Sequence, residues 1–447
     1  MNSSCYIILI SLILDLLAFT IILPLMPSIL DYYETNDKSG LYNQFNSIIE
    51  TFRIYCGAPN DLNKVLLAGA IGSWFSFLQF ISSPFIGAFS DVYGRRVSMI
   101  ICLVGITISH LIWSLSSGSF LLFTVARTLG GLFKGNVSLS TAIVTDLLSQ
   151  SERGKGMALI GVAFSIGFIF GPLIGAFFSY YSKTIISSGQ HFFALPAITS
   201  TILAAINLIF IYIYFKESLA KSNRAKSTTK GLIQAFGYVN PISLFGFTNV
   251  QKIRSEELKT IRDLGFIYFL YLFFYSGLEY TLTFLTHHRF GYTRMQQAKI
   301  YLFSGILMAL LQGTYVRRIK PSKELGTITM GLMVIIIAFL TIGLSQTIPQ
   351  LYTGLAFYSF SSAAVVPCLT TLASSTGPLD QKGTILGTFR SLGSLARALG
   401  PIISSLTYWR FGAVISYSIG AIFFIFPLLL SKSLTKRLNA QKIKLIG

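Results

Sequence analysis

Charge is what this chain has least of. Only 11% of its 447 residues are Asp, Glu, Lys or Arg, and only 16 of those are acidic. A soluble protein carries about 25% charged residues, so a surface facing water throughout is excluded. With 53% hydrophobic residues and a mean hydropathy of +0.66, most of the surface faces lipid. Cysteine is scarce too. Cys5, Cys56, Cys102 and Cys368 are scattered too widely for a zinc site or a disulfide framework. Histidine numbers four, and neither metal-ligand spacing nor a nucleophile triad is present, so no metal, cofactor or enzymatic activity is expected. Basic residues are plentiful: 35 Lys and Arg give a formal charge of +19. In a soluble chain that excess would point to nucleic acid. Here the basic residues cluster in loops between apolar runs, a topology pattern, and no nucleic-acid partner is expected.

Runs of about 20 apolar residues, enough to cross a bilayer, fall at 6–29, 64–86, 98–116, 119–145, 157–180, 193–215, 263–286, 297–316, 325–345, 349–373, 383–406 and 411–431. The fourth and eighth have the least sharply marked ends. The first lacks a basic leader region and a small-residue cleavage site and reads as a retained helix. Twelve spans put both termini on one side. Placing them in the cytoplasm puts 23 of the 35 basic residues in inner segments and 8 in outer ones, as the positive-inside rule requires. The plasma membrane is the expected location. The first outer loop, Leu30 to Asn63, is acidic.

The stretch Lys216 to Arg262 reads as a cytoplasmic linker. Its basic part, Lys221 to Lys230, is expected to be disordered. Phe236, Tyr238, Phe245 and Phe247 either lie on the membrane face or belong to a flexible tether, and the tether reading is preferred. The chain thus divides into 1–216, 217–262 and 263–447. The outer two parts repeat each other. Arg153-Gly154, Ser165 and Gly171-Pro172 recur as Lys382-Gly383, Ser394 and Gly400-Pro401 at a constant offset of 229. The expected fold is an all-α membrane protein with two pseudo-symmetric six-helix bundles.

Six ionisable residues lie inside spans: Asp15, Arg127, Lys134, Glu279, Arg390 and Arg397. Each costs about 2.5–3.5 kcal/mol to insert, on the order of 15–20 kcal/mol together. They therefore need partners, a water-filled cavity, or both. Arg127 and Lys134 are seven apart, as are Arg390 and Arg397. That is nearly two helical turns, which puts each pair on one face about 10 Å apart. Four cations and two acids favour an anionic ligand, and the planar fork of Arg suits a carboxylate. Arg127, Lys134, Arg390 and Arg397 are the candidate substrate contacts. Asp15 and Glu279 are candidate proton carriers; alternatively Asp15 only neutralises Arg127. His110 and His191 sit at span ends with no assigned role. His287-His288 is either a solvated helix end or a pH sensor. Gly167, Gly171 and Gly175, four apart, allow close helix approach, and Pro172 and Pro401 can kink their helices.

Gly87, Asp91, Gly94, Arg95 and Arg96 form a tight polar turn between the second and third spans. Alone, the two arginines could be a topology signal. With Leu14-Asp15, Pro24 and Pro27, with Arg127, Gly130 and Asp146, and with Gly167, Gly171-Pro172 and Gly175, the turn resembles the signature motifs of the major facilitator superfamily. Within it, the chain resembles the tetracycline-efflux-like drug/proton antiporters. Gly135–Thr141, Ser276–Tyr280 and Ala363–Cys368 look close to an animal tetracycline transporter-like branch regarded as organic anion transporters. The second-half counterpart of the turn, Gly313 to Arg318, is degraded. The resemblance implies a monomeric transporter working by alternating access, coupled to protons. It implies that Asp91 caps the start of the eleventh helix near Gly383 as an inner gate and that Arg95 pairs with Asp146. Two other functions stay open at this point: proton-coupled efflux of neutral or cationic drugs, and a sensor or scaffold that does not transport.

Overall fold

The computed structural model describes residues 3–57, 62–148, 153–185, 193–221, 224, 237, 239–248, 250, 253–319, 323–376 and 382–446. At 3, 153–155, 157–159, 183–185, 317, 374, 382–384 and 441–446 it describes the backbone only. Its regular elements are helices. Apolar runs without water must satisfy their backbone groups internally, and the α-helix does so within a single segment. By length and composition, nine described stretches can cross a membrane; the last, Ile385–Ala440, spans two of the expected runs. The expected runs missing from those nine, 119–145 and 297–316, are the two with the weakest ends.

The chain opens with α1 (Ser3–Thr20), a short 3-10 turn through Pro24, and α2 (Met26–Asn36). The segment 30–63, expected on the outer side, is not a plain loop: it holds α3 (Leu41–Cys56). Next come α4 (Asn63–Tyr93) and α5 (Arg95–Ser114). One residue joins them: Gly94 has φ 105°, a conformation that favours glycine. The fourth expected span is broken. α6 (Phe120–Phe133) and α7 (Asn136–Leu147) are separated by Lys134-Gly135, where three nearby glycines, Gly130, Gly131 and Gly135, lower helix propensity. Lys134 therefore lies at a break, not two turns along an unbroken helix from Arg127. α8 (Arg153–Ile185) and α9 (Ala194–Tyr214) follow.

The second half contains α10 (Pro241–Gly246), α11 (Ser255–Phe290), α12 (Arg294–Thr314), α13 (Glu324–Leu344), α14 (Ile348–Ser375), α15 (Lys382–Phe423) and α16 (Ile425–Ile446). Gly412, at φ 75°, breaks the helical path of α15. Residues 1–236 and 283–305 form one compact unit, and 237–282 with 306–447 form a second.

In the first unit, α1 lies on the glycine face of α8. A Cβ on Gly167, Gly171 or Gly175 would strike Leu16, Thr20 or the Ile21 carbonyl respectively. Thr20 Oγ1 donates to the Gly167 carbonyl at 2.8 Å across this contact. In the second unit the same contact recurs between α11 and α15. Gly400, the repeat of Gly171, is pressed against the Phe273 carbonyl and Ser276 Oγ. Pro172 and Pro401 both lie inside continuous helix.

The tether reading fails for 240–248. Asn240 caps α10 by accepting from Ile242 N at 3.0 Å. Phe245 meets Phe266 and Phe269 edge-on, with centroids 5.8 and 4.9 Å away. Phe247 is 1% exposed and packs on Phe389. Burying these rings outweighs the freedom lost in ordering the segment. Phe236, Tyr238 and most of the basic part lie outside the described residues.

Candidate functional site

The polar turn is built around Arg95. Its Nη1 lies 2.6 Å from Asp91 Oδ1 and its Nε donates to Asp146 Oδ2 at 2.9 Å. Ser90 Oγ also accepts from Arg95, and Gly87 O accepts from Ser90 Oγ at 2.6 Å. Gly87 itself has open space where a Cβ would stand. Asp91 is half exposed, and Arg95 is its described ion-pair partner; the side-chain surroundings of Gly383 lie outside the described residues. The N-terminus of α5 is capped instead by Glu217, just beyond α9. Glu217 accepts from the backbone N–H groups of Arg95 at 2.9 Å and Arg96 at 3.2 Å. A carboxylate there satisfies orphan donors and suits the helix dipole. Arg96 turns the other way: its Nη2 donates to Tyr212 O at 2.7 Å. Sequence reasoning counted Glu217 as part of the linker. The signal was there, an acid directly after an apolar span, but its partner is more than a hundred residues away.

Deeper in the first unit, Lys134 Nζ lies 2.7 Å from Asp15 Oδ2, and both side chains are buried. Asp15 is thus neutralised by Lys134, which the break before α7 brings against it. The Arg127 guanidinium covers the Phe75 ring, 4.3 Å from its centroid, a cation–π contact. Arg127 and Lys134 both line a small cavity with Phe19, Ser109, His110 and Trp113. His110, given no role from sequence, thus faces the buried cations. His191 lies outside the described residues.

In the second unit α15 is helical through 390–397, so Arg390 and Arg397 share a face. Arg397 is exposed and Arg390 partly buried. Both act electrostatically on Tyr268 of α11, and Arg397 acts on Glu279 of the same helix. Glu279 makes no ion pair within 4.0 Å among the described residues. Below it, Tyr275 stacks on Tyr358 at 4.8 Å and accepts from Ser362 Oγ at 3.0 Å. Tyr268, Tyr275 and Glu279 recur at helical spacing, a periodicity that could have marked this polar face in advance.

A third polar cluster of the first unit joins α2, the start of α4 and the end of α11. Lys64 bridges Asp31 at 2.5 Å and Glu34 at 2.8 Å, with His287 Nε2 3.9 Å from Asp31. These side chains, with Asn46, Asn63 and His288, border a cavity of about 350 Å³. Beside it Asp37 accepts from Ser39, Tyr42 and Phe120 N–H groups at 2.9–3.0 Å. Burial pushes the Asp37 pKa up, but these bonds and the Ser39 hydroxyl outweigh it and hold it below the usual carboxylate range. No group of three or more His, Cys, Asp or Glu suited to a metal ion occurs among the described residues.

Residues 8–401 match the Major Facilitator Superfamily. The chain is 43% identical over 425 residues to major facilitator superfamily domain-containing protein 10 of Mus musculus, covering 94% of this chain and 90% of that protein. It is 23% identical over 414 residues to the class B tetracycline resistance protein of Escherichia coli, covering 91% and 89%. The crystal structure described as the human organic anion transporter MFSD10 (TETRAN) superposes with a TM-score of 0.81 at 40% identity, covering 96% of this chain and all of that one. The POT family transporter PepTSo, at 11% identity and a TM-score of 0.71 over 99% of both chains, shares the fold. The chain belongs to the major facilitator superfamily: it is a multi-pass membrane transporter of small molecules, not an enzyme.

Proposed function

We propose that the chain is a secondary transporter of organic anions, working as a monomer by alternating access and coupled to protons. The observation that carries this reading is the pair Arg390 and Arg397. Two guanidinium groups on one face of an apolar helix, one of them exposed, present a paired positive surface suited to a carboxylate. The 40% identity to a human organic anion transporter supports the same substrate class. Arg390 and Arg397 are the main carboxylate contacts. Lys134 acts as the counter-ion of Asp15. Glu279 is the better proton carrier, because it can gain and lose a proton without breaking a fixed salt bridge. Arg95, held by Asp91 and Asp146, belongs to the inner gate, with both termini cytoplasmic and the plasma membrane as its site. The divisions 1–216, 217–262 and 263–447 remain our functional partition, with 240–248 fastened to the second half.

A second reading, export of cationic drugs, is favoured by one feature: Glu279 beside stacked tyrosines could receive a cation. Uptake of labelled organic carboxylates, their amides and organic cations into proteoliposomes, with and without a pH gradient, separates the two. Carboxylate-selective, gradient-driven flux is expected. Cation flux alone would overturn the anion reading.

A further inference from the structure

The small cavity of the first unit is shaped for something other than an organic acid. It measures about 20 Å³, room for a single water-sized body and too little for a carboxylate with its carbon skeleton. Arg127, Lys134, His110, Ser109 and Trp113 line it, with Phe19 and Phe75 and no carboxylate. Ser109 Oγ already gives its proton to Ala126 O at 2.8 Å, and Lys134 is held by Asp15. Trp113 is 3% exposed, and its Nε1–H meets no acceptor among the described residues. An indole N–H can only donate, and leaving it unmet in a buried site is unfavourable.

Two kinds of occupant fit that volume. Water would accept from Trp113 and donate to Ser109 Oγ and the His110 ring, but it would leave the surplus positive charge unanswered. A monatomic anion needs no acceptor. It also suits the local charge: Arg127 and Lys134 against Asp15 leave a net positive cluster. The edges of aromatic rings are electropositive as well. We infer that Trp113, Arg127 and His110 form a binding site for a single halide ion, chloride in the cell, inside the first unit. This site does not depend on the identity of the transported substrate.

The test uses the purified full-length protein in detergent at constant ionic strength, with gluconate as the reference anion. Chloride and bromide should raise the melting temperature saturably, and bromide should quench part of the tryptophan fluorescence. Trp113→Phe keeps the ring and removes the donor; its apparent halide affinity should fall at least tenfold. Trp74→Phe, which removes an exposed indole bonded to Thr128, should titrate like wild type. The absence of a saturable halide-specific effect in wild type, or an unchanged titration in Trp113→Phe, would show that water alone fills the cavity. Should Trp113→Phe not fold, anomalous scattering from bromide-soaked wild-type crystals decides: a peak within 4 Å of Trp113 Nε1 is expected, and no peak there overturns the site.

Discussion

A guanidinium inside an apolar helix is stable only beside water, a counter-charge or a ring, and Arg127, Arg390 and Arg397 differ in which they have. Arg127 has Phe75; Arg390 and Arg397 both lie near Tyr268, and Arg397 near Glu279 as well. Replacing Arg390 or Arg397 by Gln removes a charge-assisted hydrogen bond of roughly 1.5–3 kcal/mol. The KM for a carboxylate substrate should then rise about ten- to a hundredfold, while its amide is nearly unaffected. Equal losses for both would make these arginines structural. Glu279→Gln should abolish the response of flux to a pH gradient yet spare substrate exchange without one; retained coupling would move the proton to another group. Asp15→Asn strands Lys134 in a buried site, a change that costs about 3–5 kcal/mol in comparable pairs. Its thermal stability should drop sharply and recover in part when Lys134→Met is added. Stability unchanged in the single variant would mean the pair is not closed in the membrane. The ionisable residues were legible from the sequence, because charge in an apolar run is conspicuous. Their pairing was not: seven-residue spacing assumed an unbroken helix, and the break at Lys134-Gly135 gave Lys134 to Asp15.

Helix ends carry much of the polar structure. Asp37 joins two of them, accepting from Tyr42 near the start of α3 and from Phe120 at the start of α6. Losing such a cap costs about 1–2 kcal/mol, so Asp37→Ala should lower the melting temperature and loosen the outer segment to proteolysis. Because the folded pKa of Asp37 is depressed, its contribution is complete above its unfolded value of about 4 and disappears as pH falls through the folded one. The difference in stability between wild type and Asp37→Ala should therefore be constant from neutral pH to about 5 and shrink in stronger acid. A difference independent of pH would indicate lost packing instead of lost charge. The spans themselves were readable from hydropathy. α3 and α10 were not, since short helices outside the membrane depend on caps and aromatic contacts that only the folded neighbours supply.

At the scale of the whole molecule, the two halves reuse one helix contact, Gly171 against α1 and Gly400 against α11, while the charge on them differs. The polar turn exists in full only in the first half, where Arg95 ties Asp91 to Asp146 and Glu217 fixes the start of α5. Asp91→Asn should abolish most flux with folding and surface level intact; transport at the wild-type rate would remove Asp91 from the gate. The sequence by itself determined the membrane class, the repeat, the likeness to the superfamily and the list of buried charges. Composition and period are local properties that survive in one dimension. Only the tertiary structure decided that Asp15 meets Lys134, that Glu217 caps α5, that residues 240–248 are packed into the second unit, and that His110 and Trp113 face Arg127. Those choices depend on backbone breaks and on contacts between residues far apart in the chain.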